Sequence, residues 1–402
     1  MTIAEVSTRA DTMPQHVSLT ALFLKFLRFG LLAFGGPVAQ IAMLRQALVE
    51  EERWIDKTRF NRLLAVLQVL PGPEAHELCV HMGMIARGRM GGVLAGLGFM
   101  LPGLFLMLVA GWAYVTWIAG RSAWSGVLLG VQIVVLAIIL RSVARIGQHI
   151  IENTLLGVVA AASLLATLFG APFWIPLVAG GLVYGLARRL RWAALVVAGA
   201  VVAAAAAHFL REPVDAIPAA ILTEPAVGAL FLAGLKGGLL TFGGAYTAIP
   251  YVRADTVGRG WISDAGFLDG IALAGVLPAP LVIFATFVGY IAGGLPGALA
   301  ITAGMFLPAF GFSLILFERL EAIVEWPALH RILEGVAAAV VGVIAATFVQ
   351  LGQATWSAAS EHAIPIAMFV AALLAAWRLR GTWVTPVIIG GGALMGRLLL
   401  SA

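Results

Sequence analysis

Thirteen apolar stretches run through the chain, at about 20–48, 61–84, 92–118, 124–146, 154–170, 172–187, 191–209, 227–250, 266–291, 295–317, 331–352, 363–378 and 383–400. Many match the ~20 residues that cross a bilayer as a helix. Lipid offers no partner to backbone N–H and C=O groups, so runs of this length satisfy them internally as helices, not as barrel strands. The expected fold is therefore an all-α polytopic membrane protein. Composition agrees: 61% of the 402 residues are hydrophobic and 11% charged, against roughly 45–50% and 25% in soluble domains. That leaves too little polar surface for a soluble enzyme or a nucleic-acid binder. The single cysteine, Cys79, forbids an internal disulfide and a Cys-based metal cluster.

Residues 1–18 are polar and of mixed charge, and are read as a cytoplasmic tail before an uncleaved first segment. If each stretch is one span and the N-terminus is inside, the outer segments hold Arg45, Arg53, Lys57, Arg59, Arg62, Arg121, Arg211 and Arg397. Leaving out Lys236, within a span, the inner segments hold 16 of the 25 Lys and Arg. This bias favours N-inside and accounts for the net charge of +5. Residues 45–62 dissent, with five positives on the outer side. They would move inside if the first stretch were a re-entrant hairpin bent at Phe34-Gly35-Gly36-Pro37.

The chain also repeats itself. Leu31-Leu32-Ala33-Phe34-Gly35-Gly36 recurs as Leu239-Leu240-Thr241-Phe242-Gly243-Gly244, at an offset of 208. Trp54-Ile55 recurs as Trp261-Ile262, and Leu70-Pro71-Gly72-Pro73 as Leu277-Pro278-Ala279-Pro280, at 207. Gly83, Gly88, Gly91 and Leu101-Pro102 recur at 206, and Gly130-Val131 at 205. Ordered matches with so slow a drift mark two homologous units. The expected organisation is a tail (1–18), a first repeat with a linking span (19–209), a linker (210–226) and a second repeat (227–402). Seven stretches precede the second unit, and an odd number inverts it. Inverted repeats are a common plan of secondary transporters, with the substrate site at the repeat interface.

Paired glycines weaken a helix, and proline removes a donor. Breaks at Gly35-Gly36 and Gly243-Gly244 therefore free backbone groups that lipid tolerates only beside protein or a water-filled cavity; close helix packing through small residues is the alternative. Pro71-Gly72-Pro73 and Pro278-Ala279-Pro280 stop one helix and start another, whose first turn offers free N–H groups and partial positive charge. Two such half-helices could converge on one oxyanion. Arg28 and Lys236 occupy equivalent repeat positions, and charge within a span is expensive; both are candidates for attracting an anion. Glu74, His76, Glu77 and His81 form the densest ionisable group in any stretch, and Glu74, His76 and Glu77 are candidates for carrying protons. Asp269 and Glu334 are read as interfacial. His76 and His81 resemble a zinc-protease pair but are five residues apart, rotated by about 140° on a helix, so they cannot share a metal. No Walker loop, dinucleotide fingerprint or haem motif is present, and no cofactor is expected.

With Phe34-Gly35-Gly36-Pro37, Trp54-Ile55, Leu70-Pro71-Gly72-Pro73-Glu74, Gly88-Arg89-Met90-Gly91-Gly92, Phe242-Gly243-Gly244-Ala245-Tyr246, Gly260-Trp261-Ile262 and Ala285-Thr286-Phe287-Val288-Gly289-Tyr290, the chain resembles the chromate ion transporter family in its two-domain form. The likeness runs from about residue 20 to 400. It implies a multi-pass inner-membrane carrier that exports chromate, driven by protons and conferring chromate resistance. Sulfate or another oxyanion is the alternative substrate, and a passive anion channel the alternative mechanism. Expected partners are the oxyanion, protons, the bilayer and a second copy in a homodimer. Two positions depart from the family's pattern: Ala279 stands where glycine is more usual, and Glu77 where glutamine is expected.

Overall fold

The computed structural model describes residues 17–67, 72–209, 225–242, 244–316, 327–379 and 381–400. The expectations placed on Pro71, Gly243, the linker and most of the N-terminal tail lie outside the described residues. Among those described, regular structure is entirely helical. The helices are α1 (Leu19–Leu31), α2 (Gly36–Arg45), α3 (Lys57–Leu67), α4 (Glu74–Ala113), α5 (Ser125–Ile150), α6 (Thr154–Leu168), α7 (Trp174–Gly185) and α8 (Leu190–Phe209). The second half holds α9 (Val227–Leu239), α10 (Ile249–Thr256), α11 (Asp264–Val276), α12 (Phe284–Leu316), α13 (Pro327–Ala358), α14 (Ala363–Arg378) and α15 (Val384–Leu399). Four of these, with adjoining turns, are long and apolar enough to cross a membrane: 74–118, 122–150, 281–315 and 331–358.

The first apolar stretch is two short helices rather than one span. Ser18 caps α1, its hydroxyl accepting from the Ala21 amide at 3.1 Å. Thirteen residues rise only about 20 Å, short of a ~30 Å hydrocarbon core. Gly35 and Gly36 then take positive φ (85° and 78°), conformations that L side chains resist, and α2 starts anew. The chain doubles back: Lys25 of α1 pairs with Glu52 and lies 5.1 Å over the Trp54 ring, and Phe26 meets the same ring at 6.3 Å.

The second stretch breaks as well, between α3 and α4. Helix α4 is itself a hairpin. Arg87 (φ −144°) and Gly88 (φ 62°) are non-helical, and Gly293 (φ −152°) and Gly294 (φ 59°) repeat this turn in α12. The limbs of α4 pack antiparallel: Gly83 lies against Gly91 and Ala95, and Gly289 against Gly297 in the second copy. The α1 contact recurs too. A Cβ at Gly98 would strike the Phe23 carbonyl and Leu27 amide, and one at Gly304 the Phe231 carbonyl and Leu235 amide. The two repeats thus share a fold as well as a motif.

They are also interlocked. Helix α5 of the first repeat packs against α14 and α15 of the second, while α13 of the second packs against α6 and α7 of the first. Glycines set both contacts, Gly130 on Gly392 and Gly396, and Gly335 on Gly180. Each repeat completes its partner's core.

Gly304→Leu should force α9 from α12 and destabilise the protein by about 1–3 kcal/mol, the usual cost of overpacking. Gly199→Leu, at an exposed position with nothing within 4 Å, should leave stability unchanged. Thermal midpoints in detergent check the pair.

Candidate functional site: a cavity where four helix starts converge

The four helix breaks are joined crosswise between repeats. The Gly72 amide donates to the Thr241 carbonyl at 2.8 Å, tying the first Pro-Gly-Pro turn to the second repeat's Gly-Gly break. Ala33 and Ala279 hold the equivalent positions of the other pairing. There the amide of Gln40 donates to both carbonyls, at 2.9 Å each. Gln40 is 1% exposed. Its counterpart in the second repeat is Ala248, so one crossing is direct and the other runs through a side chain. Buried backbone groups left by a broken helix would each cost several kcal/mol in lipid; these bonds satisfy four of them, one amide and three carbonyls.

Beside this crossing lies a cavity of about 600 Å³. Gly35, Gly36, Pro37 and Val38 bring the start of α2 into its wall, and Glu74 the start of α4. Gly244, Ala245 and Tyr246 bring the 3-10 turn leading into α10, and Leu281 the turn leading into α12. None of the four starts has a side-chain cap. Uncapped first-turn amides and the helix dipole make each a site of partial positive charge.

One face of α5 completes the wall. Ile138, Arg141, Ser142, Arg145, Ile146 and His149 all line it, three and four residues apart as one helical face requires. Arg141 lies near Arg145 and Tyr246, and Ser142 shares a hydrogen bond with Tyr246. Arg141, Arg145 and His149 carry no expectation from sequence. The four-residue spacing of the first two places them on one helical face. Glu152 and Glu334 stand at the far end, near the C-terminus of α5 and the start of α13.

The structure separates the other expected residues. Pro73 is the residue before α4, its carbonyl accepting from His76 and Glu77 amides at 2.9 and 3.0 Å. Pro278 and Pro280 are buried beside Ala279 and shape the second turn. Gly72 has φ 150°, and a Cβ there would strike the Glu77 carboxylate. Glu77 is fully buried, and neither of its oxygens meets a hydrogen-bond partner among the described residues. His76 is also fully buried and away from the cavity wall. Its Nε2 lies 3.2 Å from the Gly96 carbonyl, and its ring is edge-on to Phe306 and Phe310 of the second repeat. Arg28 is exposed near the end of α1, outside the cavity lining.

Lys236 also lies outside the lining. Its ammonium donates to Asp255 at 2.9 Å and sits 4.4 Å over the Phe173 ring. Asp269 is not interfacial but 3% exposed. It accepts from the Tyr114 hydroxyl at 2.7 Å and from Gln132 at 3.0 Å, both in the first repeat. Because α10 and α11 double back, position 269 meets α5 instead of the membrane surface.

The repeat, the crosswise breaks and the cavity beside them define a multi-pass membrane transporter. The chromate transporter family model matches residues 20–186 and 228–397, and the chain belongs to that family. A chromate transport protein of Pseudomonas aeruginosa is 54% identical over 386 residues, covering 95% of this chain and 93% of the relative. Another, of Cupriavidus metallidurans, is 30% identical over 391 residues, covering 96% and 94%. A probable chromate transport protein of Synechococcus elongatus is 28% identical, covering 96% of each. No solved structure matches the chain.

Lys236→Ala would leave Asp255 with Arg259 at 3.6 Å as its remaining ion pair. The expected loss is about 1–3 kcal/mol. Adding Asp255→Leu to Lys236→Ala should recover most of it, because the uncompensated carboxylate is gone. Thermal unfolding of the single and double variants in detergent measures the difference.

Proposed function

We propose that this protein is a secondary carrier that exports chromate across the inner membrane in exchange for protons, giving chromate resistance. The observation that carries the reading is the convergence of four uncapped helix starts, two from each repeat, on one cavity. Such starts favour an oxyanion. Gly35, Gly36, Gly72, Pro73, Gly244, Pro278 and Pro280 shape them. Arg28 adds to the positive field from outside the wall, while the Lys236 charge is balanced by Asp255. The names of the relatives support chromate as substrate. Backbone amides read shape and charge rather than the central atom, so sulfate competes at the same site.

The doubled-back segments support an N-inside orientation. α1–α2 and α3 with the first limb of α4 return to the side they enter from, as do the paired helices α6–α7. Residues 88–118, α5 and α8 then make three crossings, and an odd number inverts the second repeat. With this path the outer face holds Arg121, Arg211, Arg253, Arg259 and Arg397, and the inner face 19 of the 25 Lys and Arg, Lys236 again left out. Residues 45–62 cease to dissent. The N-terminus is cytoplasmic by this count, and the cavity runs toward the same side, past His149 and Glu152. A substrate therefore enters from the cytoplasm. Glu74 in the wall and Glu77 behind it supply protonatable groups, and His76 supports them through packing.

Everted membrane vesicles should take up chromate faster with an acidic interior, and excess sulfate should slow the uptake. Glu74→Gln should keep chromate–chromate exchange yet lose the response to the pH gradient. Uptake indifferent to any gradient in the unsubstituted protein would mark a passive channel, and no uptake would end the reading.

A further inference from the structure

We infer that Arg141 and Arg145 form a separate oxyanion capture subsite on the cytoplasmic side of the cavity, present in one repeat only, so that the carrier binds its dianion unequally from the two faces. The inference rests on the transport reading above and adds to it a source of direction.

The two arginines sit one turn apart, roughly 6 Å along the helix axis, on the α5 face that lines the cavity. Neither makes an ion pair or hydrogen bond with a described residue, and Arg145 is exposed to the cavity. Elsewhere the cations near the repeat interface are engaged: Lys236 by Asp255, and Arg253 by Asp264 at 2.7 and 3.0 Å. Two adjacent guanidinium groups repel each other unless an anion lies between them, and their planar donor arrays suit a tetrahedral dianion. His149 continues the face by one more turn. The carboxylates in the same wall are placed elsewhere, Glu74 at the start of α4 and Glu152 and Glu334 at the mouth.

The pair has no counterpart. At the offset of 205 that aligns Gly130 with Gly335, positions 141, 145 and 149 become Ala346, Gln350 and Ala354. Ala346 is fully buried, and Gln350 accepts from Arg253 at 2.6 Å. If exchange of the two repeats' roles opens the other side, the vestibule formed there by α13 carries no free guanidinium. A dianion leaving that way meets no second capture point. A pair of guanidinium groups without ion-pair partners raises the local concentration and on-rate of a dianion beside it, so the cytoplasmic face binds chromate at lower concentration than the outer face.

The test compares chromate uptake by everted and right-side-out vesicles from one preparation. In the unsubstituted protein KM should be lower from the cytoplasmic face. In Arg141→Gln/Arg145→Gln, KM from that face should rise at least tenfold, while KM from the outer face stays within about twofold. That outer-face activity also shows that the variant is folded. Arg141→Lys/Arg145→Lys, which keeps the charge but not the planar donors, should fall between. An equal rise on both faces would place the arginines in the central site, and no change on either face would remove them from the path; both overturn the inference. If the unsubstituted protein takes up chromate from neither face, the transport reading itself fails, and this inference with it.

Discussion

The architecture depends on how four helix breaks are kept from exposing polar backbone to lipid. A helix broken in a membrane core is tolerated only where protein or enclosed water satisfies the freed groups. Here each repeat satisfies the other. The Gly72 amide meets the Thr241 carbonyl, and Gln40 reaches both Ala33 and Ala279. Because the bonds cross between repeats, the breaks cannot form in one half alone. The interlocked packing of α5 with α14–α15, and of α13 with α6–α7, holds the halves in the position this requires. The crossing uses the Gly72 amide and three carbonyls, while residues at the new helix starts line the cavity. One constraint thus yields both the stability of the breaks and their chemistry.

The symmetry is approximate, and its departures are informative. Gln40 replaces a direct backbone bond on one side of the crossing, and its counterpart Ala248 is too short to do so. Arg141 and Arg145 face Ala346 and Gln350 across the pseudo-symmetry. The buried carboxylate of Asp269, held by Tyr114 and Gln132, corresponds to no acid in the first repeat, where position 62 is arginine. The shared fold makes two equivalent conformations conceivable, and these substitutions make them unequal in charge.

Much of this was legible in sequence because it is local. Gly35-Gly36 and Pro-x-Pro announce broken helices by backbone chemistry alone, and their recurrence announces the repeat. What escaped was tertiary. His76 looked like a proton carrier until Phe306 and Phe310, 230 or more residues away in sequence, were seen on either side of its ring. Lys236 is a charge within an apolar stretch, and only the doubling back of α10 brings Asp255, 19 residues on, to its ammonium. Residues 20–48, 29 apolar-rich residues long enough to read as one span, fold instead as two short helices broken at Gly35-Gly36. The spacing of Arg141 and Arg145 places them on one helical face, but only the packing of α5 shows that this face lines the cavity.

The central claim is that the crossed breaks build a single oxyanion site. Locating chromium by its anomalous scattering in crystals grown with chromate tests it most directly. The account predicts a peak inside the cavity, within about 4 Å of first-turn amides from both repeats, the distance set by one N–H···O bond plus the bond from oxygen to chromium. A peak confined to positions outside the cavity, such as the exterior near Lys236, would contradict it.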